Sequence, residues 1–206
     1  MARYIGAVCR LCRRGGEKLF LKGERCVSQK CPLVKRDYGP GQHGAKQHRI
    51  SDYGLQLREK QKVKRIYGVL EKQFKRYFEI ASKSKGVTGK ILLQLLERRL
   101  DNVIYRCGFA VSRPQARQIV RHNFVYVNEK RTNIPSFLVD REDIIEIRGK
   151  GEKLGIIKQN LQKSSERVIP SWLEIEDLKA KVLRLPEKED LRFSIQEQLI
   201  VELYSK

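Results

Sequence analysis

Four of the five cysteines in this 206-residue chain lie within its first 31 residues, at positions 9, 12, 26 and 31. The short spacing within each pair suits four thiolates arranged tetrahedrally on one metal ion. The pattern predicts one structural zinc ion on Cys9, Cys12, Cys26 and Cys31, and an iron–sulfur cluster is the alternative. Two disulfides are disfavoured by the reducing cytosol expected for this chain, and the pairing argues against four unrelated thiols. Four protein ligands would close the site to water, so the metal would not be catalytic.

A second pattern is the row Arg113, Arg117 and Arg121, which recurs every four residues and so follows one face of a helix. Ser112 and Gln115 have the spacing of a capping box, which predicts that this helix starts at the serine. Backbone N–H groups at a helix N-terminus favour phosphate. We interpret the row as a phosphate-contacting face, and the alternative is a face that is merely hydrated.

A basic, glycine-rich loop follows the cysteines, from Lys35 to Gly44. Three glycines and a proline within six residues exclude a helix and leave backbone N–H groups available to a sugar–phosphate backbone. The loop lacks the Gly-Lys-Ser/Thr ending of a nucleotide-binding P-loop. His43 could be a zinc ligand, but four thiols already complete the site, which favours an RNA or structural contact.

Asp52 is predicted to cap a helix that ends near Gly68. Arg58, Lys62 and Arg65 have the spacing of one helical face. A second helix is predicted from about residue 70 to 81, and a last one near residues 194–204, with apolar residues four apart.

Charge is distributed unevenly along the chain. Residues 1–90 carry a net charge of +16, residues 91–160 carry +5 and residues 161–206 carry −1. The basic first half predicts a polyanionic partner. A membrane is disfavoured because the basic stretches have no broad apolar face. The chain also has no apolar run long enough for a membrane span and no signal peptide at its start, so we expect a cytoplasmic protein.

Residues 99–147 are predicted to form two short helices that lean on a small, twisted antiparallel sheet. This segment resembles the S-four RNA-binding domain. It departs from the family pattern at Asn123, Glu129 and Arg141, where glycine is common, although asparagine also suits a left-handed backbone. The matching residues are Arg99-Leu100-Asp101, Gly108, Ser112-Arg113, Ala116-Arg117-Gln118, His122, Val127-Asn128, Pro135-Ser136 and Asp143.

The resemblance extends to the whole chain. The runs 38–44, 57–68, 99–102 and 199–206 are similar to the bacterial ribosomal protein S-four family, and the cysteines match its metal-binding branch. The resemblance implies an α+β fold, in which a mostly helical first domain with an N-terminal four-cysteine metal knuckle carries an inserted S-four-type RNA-binding domain. The expected segments are 1–45 (metal knuckle and basic loop), 46–97 (helical part of the first domain), 98–158 (RNA-binding domain) and 159–206 (a C-terminal segment packing back on the first domain).

The family resemblance also implies the function. We expect a structural constituent of the small ribosomal subunit that binds the five-helix junction in the 5′ domain of 16S rRNA and nucleates assembly. It would lie near the mRNA entrance beside the S-three and S-five proteins, support decoding accuracy and, in some bacteria, repress its own mRNA. No small-molecule substrate is expected. The expected RNA-binding residues are Arg13, Arg14, Lys35, Arg36, Tyr38, Gln42, His43, Arg49, Arg58, Lys62, Arg65, Arg99, Ser112, Arg113, Gln115, Arg117, Gln118, Arg121 and Asn123.

Two other functions fit parts of the sequence. An RNA-modifying enzyme can carry such a module, but little chain is left for a catalytic domain and no nucleophile is paired with a base. A transcription factor with a zinc knuckle would prefer duplex DNA, whereas recognition of RNA by shape predicts the reverse. The sequence therefore favours an RNA-binding protein that is not an enzyme.

Overall fold

A computed structural model describes residues 2–46, 49–149, 152–164 and 169–205. The chain divides into two compact units, which are described separately. The first comprises Met1–Leu92 and Phe193–Lys206, and the second comprises Leu93–Arg192. No helix among the described residues has the length and apolar character needed to cross a membrane.

The first unit is built from helices. Helix α4 (Asp52–Ile66) starts after Ser51, whose Oγ accepts a hydrogen bond from the Gly54 N–H at 3.2 Å. The predicted cap at Asp52 is therefore wrong by one residue, because the serine hydroxyl satisfies the first turn. Gly68, with φ of 63°, follows the end of this helix. The helices are α1 (Val8–Gly15), α2 (Glu24–Val27), α3 (Pro32–Lys35), α4 (Asp52–Ile66), α5 (Glu71–Lys83), α6 (Thr88–Glu97, which reaches into the second unit) and the C-terminal α10 (Glu197–Tyr204).

The C-terminal helix α10 packs against α4 inside the first unit. Ile200 on α10 is fully buried, as are Val63 on α4 and Phe74 on α5. The Gln56 Nε2 donates a hydrogen bond to Glu202 Oε2 at 3.0 Å, which fixes α10 along α4. The first unit is thus completed by residues from the far end of the chain.

The second unit packs helices on one antiparallel sheet, whose strand order is β2-β1-β3-β5-β4. Its core combines the buried apolar faces of α7 and α8 with the inner face of the sheet, and includes Trp172. The elements are α7 (Leu100–Arg106), α8 (Arg113–Arg121), β1 (Val125–Val127), β2 (Lys130–Arg131), β3 (Ile144–Ile147), α9 (Glu152–Ser164), β4 (Leu173–Glu176) and β5 (Lys179–Val182), followed by a 3-10 turn (Lys188–Asp190).

The segment 159–192 differs from the expectation that residues 159–206 pack back on the first domain. Strand β5 pairs with β3, so that Ala180 lies opposite Ile145, and β4 pairs with β5, so that Leu173 lies opposite Val182. These apolar side chains are buried together, and pairing also covers the edge of β3 that would otherwise be exposed. The expectation is wrong for these strands, because the sheet of the second unit offers them a better partner.

Candidate nucleic-acid interface

The predicted metal ligands lie on short helices of the first unit. Cys9 and Cys12 belong to α1, Cys26 belongs to α2 and Cys31 directly precedes α3. Cys9 is half-buried and the other three are buried. The Lys22 N–H donates a hydrogen bond to the Cys26 Sγ at 3.3 Å, a contact that favours the thiolate form.

The four thiols influence one another electrostatically. Burial raises the pKa of the Cys12 thiol, a backbone hydrogen bond from Leu19 lowers it, and Cys26, Cys9 and Cys31 raise it further because neighbouring thiolates repel. Within the described part of the chain, no three Cys, His, Asp or Glu side chains are grouped closely enough to hold a metal ion. The thiols are neighbours with the donor chemistry of a zinc site, but they are not assembled into a ligand set.

Arg13 clamps the glycine-rich loop onto α1. Its Nε and Nη2 donate hydrogen bonds to the carbonyl oxygens of Tyr38 and Gly39, at 3.0 and 3.3 Å, and its guanidinium carbon lies 5.1 Å from the centre of the Tyr38 ring. The Gly39 N–H donates in turn to the carbonyl oxygen of Gly44 at 3.2 Å. A Cβ at Gly44 would overlap the Gly39 carbonyl. Glycine is therefore required at position 44 for the loop to close.

The three basic residues predicted on one face of α4 have different surroundings. The Lys62 Nζ lies 3.1 Å from the Glu17 carboxylate and donates a hydrogen bond to the carbonyl oxygen of Ser194 at 2.9 Å. Arg65 is half-buried, and this burial lowers the pKa of its guanidinium. Arg58 is exposed. Of the three, Arg58 is the best placed to contact a phosphate.

The outward-facing cationic row predicted on α8 is wrong for Arg113 and Arg117, since both side chains are buried. The Arg117 Nη1 lies 3.2 Å from the Asp101 carboxylate, which also accepts hydrogen bonds from Arg99 Nε and Nη2 at 3.0 and 2.7 Å. Arg99, another expected RNA contact, is itself only 1% exposed. A buried carboxylate must be paired with cations. Arg113 and Arg117 of the α8 row therefore point inward to α7, whereas Arg121 is exposed.

A second buried network explains the position of Arg113. Arg106 donates to both oxygens of the Glu97 carboxylate at 2.9 and 2.7 Å, and Asn102 Nδ2 donates to the same carboxylate at 2.8 Å. The Arg113 Nε donates to Asn102 Oδ1 at 2.8 Å, and its guanidinium carbon lies 4.6 Å from the centre of the Tyr105 ring. The four-residue spacing of the arginines does not predict these partners. The sequence signal that could predict them is a charged residue next to the apolar stripe of a helix, because such a residue is buried with the stripe.

Ser112 caps α8 as predicted, because its Oγ accepts a hydrogen bond from the Gln115 N–H at 3.4 Å. The Gln115 Oε1 accepts from the Val111 N–H at 2.8 Å, one residue further back than in a standard capping box. Pro114 has no N–H to offer. Groups within the protein therefore already accept hydrogen bonds from backbone N–H groups at the start of α8, the helix end for which a phosphate contact is predicted.

Four turns in the described part of the second unit use left-handed backbone at residues other than glycine, and one of them is at Asp177, with φ of 49°, between β4 and β5. Asn123 has φ of 63°, which confirms the conformation predicted from its asparagine. Asn128 and Glu129 have φ of 47° and 64° in the two-residue loop between β1 and β2, the pattern of a type I′ hairpin turn. Near the third departure from the family pattern, Glu142 rather than Arg141 has positive φ, at 68°.

The other expected RNA-binding side chains lie at or near the surface, and their contact with RNA stays a prediction. Asn123 is half-buried, whereas the following are exposed: Arg14, Lys35, Arg36, Tyr38, Gln42, His43, Arg49, Arg58, Gln118 and Arg121.

Comparison with known proteins assigns a family to both halves of the chain. Residues 3–97 match the ribosomal protein S4/S9 N-terminal domain, and residues 98–145 match the S4 domain. The small ribosomal subunit protein uS4 of Thermodesulfovibrio yellowstonii is 61% identical over 208 aligned residues, which cover 100% of both chains. The chain belongs to the small ribosomal subunit protein uS4 family. Two further relatives, uS4A of Symbiobacterium thermophilum and uS4 of Acetivibrio thermocellus, are each 56% identical over the same coverage.

Family membership decides between the three functions considered from the sequence. The uS4 proteins are structural constituents of the small ribosomal subunit and are not enzymes. The S4 domain makes ribosomal RNA the implied partner of this chain. The structure also extends this domain, because β4 and β5 lie beyond the matched residues and continue its sheet.

Proposed function

We propose that this chain is a primary binder of the five-helix junction in the 5′ domain of 16S rRNA and nucleates assembly of the small subunit in the cytoplasm. The observation that carries the proposal is the full-length match to uS4 proteins, combined with a net charge of +16 over residues 1–90. Arg14, Arg36 and Arg58 are exposed cations of this half. Clusters of exposed cations bind RNA by releasing counterions from phosphates.

The test is hydroxyl-radical footprinting of the intact protein on transcribed 16S rRNA. We expect protection centred on the five-helix junction, and loss of that protection when Arg14, Arg36 and Arg58 are changed together to glutamine. Lys181→Gln is a suitable control because Lys181 is paired with Glu142 at 2.9 Å. Protection confined to another part of the rRNA would refute the proposed site.

We also propose that Cys9, Cys12, Cys26 and Cys31 hold one structural zinc ion, with an iron–sulfur cluster as the alternative. Support comes from their spacing, the burial of three of the thiols and the N–H to sulfur bond at Cys26. Binding would draw the neighbouring thiols into a tetrahedral set and order the segment around them.

Elemental analysis of the purified protein tests the metal proposal. We expect about one zinc per chain in the wild type and in Cys107→Ala, because Cys107 lies in the core of the second unit, and almost none in Cys26→Ser. Full zinc content in Cys26→Ser would remove Cys26 from the ligand set. Iron and sulfide in place of zinc would favour the cluster.

The family resemblance further supports a position near the mRNA entrance beside the S-three and S-five proteins, an influence on decoding accuracy and repression of the chain's own mRNA. Repression is tested with a reporter that carries the mRNA leader of this gene. Reduced reporter translation on overproduction of the wild type, but not of the Arg14, Arg36 and Arg58 variant, would support it. Equal translation in both cases would refute it.

A further inference from the structure

Helix α5 has two faces of opposite character. Phe74, Tyr77 and Ala81 are buried and follow the i, i+3, i+7 spacing of a packing stripe. On the opposite face, Lys72, Arg76 and Lys83 are exposed. In a helix of 3.6 residues per turn these three positions lie within about 40° of one another around the helix axis, so they form a narrow row.

The cations of this row are Lys72, Arg76 and Lys83, which we call the α5 row. Among the described residues, none of them makes an ion pair. The α5 row spans about 16 Å along the helix axis, at 1.5 Å per residue. One acidic residue, Glu79, lies on the same face.

Three lysines of α4 in the same unit are neutralised internally. Lys60 and Lys64 both contact the Glu71 carboxylate, at 2.8 and 2.9 Å, and Lys62 contacts Glu17 at 3.1 Å. In contrast to these lysines, the cations of the α5 row make no ion pair with a described residue. The like charges of Lys72 and Arg76, four residues apart, disfavour the isolated helix.

We propose that the α5 row is an RNA-binding site that contacts the phosphate backbone of small-subunit rRNA, in addition to the basic loop and α4. The proposal rests on the proposed rRNA binding and extends it to a further helix face. Three positive charges that have no ion pair with any described residue complement a phosphate backbone, where each neutralised phosphate releases condensed counterions. The exposed apolar side chain of Ile80, four residues after Arg76, adjoins the row and offers contact area to sugar edges.

The test is the salt dependence of binding between the intact protein and transcribed small-subunit rRNA. We expect the combined variant Lys72→Gln, Arg76→Gln, Lys83→Gln to lower the slope of log affinity against log salt by about two, at 0.7 to 0.9 per phosphate. Affinity at moderate salt should fall by roughly 10- to 100-fold. Glu79→Gln should shift affinity in the opposite direction, because it removes the only acidic group of the face.

A control variant removes three charges elsewhere, as Lys158→Gln, Lys179→Gln, Lys181→Gln. A smaller loss of slope in this control supports the proposal, whereas an equal loss shows that net charge alone matters and overturns it. If the wild type binds with a steep slope and the α5 variant has the same slope, the α5 row does not contact rRNA, although the proposed rRNA binding of the chain still holds. If that variant also fails to enter small subunits, the row serves an acidic protein neighbour instead. Absence of rRNA binding by the wild type would refute the proposed function itself.

Discussion

In the second unit, α8 directs Arg113 and Arg117 inward, where they meet a buried amide and a buried carboxylate. In the first unit, α5 directs its row of cations outward, where no described acidic group pairs with them. Both rows begin with basic residues four apart. The difference lies in what the neighbouring helix supplies, because α7 presents Asp101 and Asn102 to α8 while the outer face of α5 meets solvent. Spacing shows that cations share a face, and only their surroundings decide whether that face stabilises the fold or is available to bind RNA.

The largest expected effect comes from breaking the buried network of the second unit. Arg106→Met removes both hydrogen bonds from the guanidinium to the buried Glu97 carboxylate and should lower the free energy of unfolding by about 3–5 kcal/mol. Urea denaturation measures the loss. Arg148→Met is the control, because Arg148 pairs with Glu146 at the exposed surface, and this substitution should lower the free energy of unfolding far less. Equal costs in the two variants would show that burial does not distinguish these pairs.

A smaller effect is expected for Arg117→Gln, because Arg99 remains beside Asp101. We expect a loss of about 2 kcal/mol in the free energy of unfolding, together with an unchanged salt slope for rRNA binding. If the slope of log affinity for rRNA against log salt instead falls by about one and stability is unchanged, Arg117 contacts RNA.

The ion pairs of the first unit should respond to acid. Against the effect of burial, which raises it, hydrogen bonds from Lys60, Lys64 and Tyr204 lower the pKa of Glu71 from 4.5 to about 2. A depressed carboxyl pKa stabilises the folded state above pH 4.5, and this contribution is lost as the pH falls towards 2. The Glu71 side chain is 47% exposed, so after allowance for solvent screening the contribution is about 1 kcal/mol.

Urea denaturation at pH 7 and at pH 3 tests this contribution. Glu71→Gln should lower the free energy of unfolding at pH 7 and bring the values at the two pH values closer together. Glu79→Gln, on the exposed face of the same helix, is the matched control and should leave the pH dependence unchanged. A wild-type pH dependence in Glu71→Gln would exclude this carboxylate as the responsible group.

The smallest effect on stability is expected for the outward row. Replacing Lys72, Arg76 and Lys83 by glutamine should change the free energy of unfolding of the free protein by less than about 0.5 kcal/mol, since none of them has an ion-pair partner in the part of the chain that the structure describes. Thermal unfolding followed by circular dichroism measures this. A loss of 2 kcal/mol or more in the free energy of unfolding would show that the α5 row stabilises the fold, as the buried arginines of α8 do.

The sequence predicts local structure correctly where that structure depends on a helix cap or on a residue's preference for left-handed backbone. The serine cap of α8 and the left-handed Asn123 are where the residue types predict them, because both depend on atoms within a few residues. The predicted cap of α4 is one residue too late, since Ser51 and Asp52 are both good caps and only the hydrogen bond to Gly54 distinguishes them. The prediction for the segment around β4 and β5 names the wrong unit, because strand pairing with β3 is a long-range contact that local patterns do not encode.

The family, the two-part organisation, the basic first half and the clustering of four cysteines near the start can be read from the amino-acid sequence. Each of these depends only on residue identity and order. The packing of the helices shows that Arg99 and Arg117 are internal counterions of Asp101 and that Arg113 is buried against Asn102. It also shows that Arg13 clamps a loop and that no described acidic group pairs with the α5 row. The physical reason is that the role of a charge depends on desolvation and on the nearest opposite charge. Both are set by which helices pack together, and Asp101 and Arg117, sixteen residues apart, meet only after α7 and α8 do so.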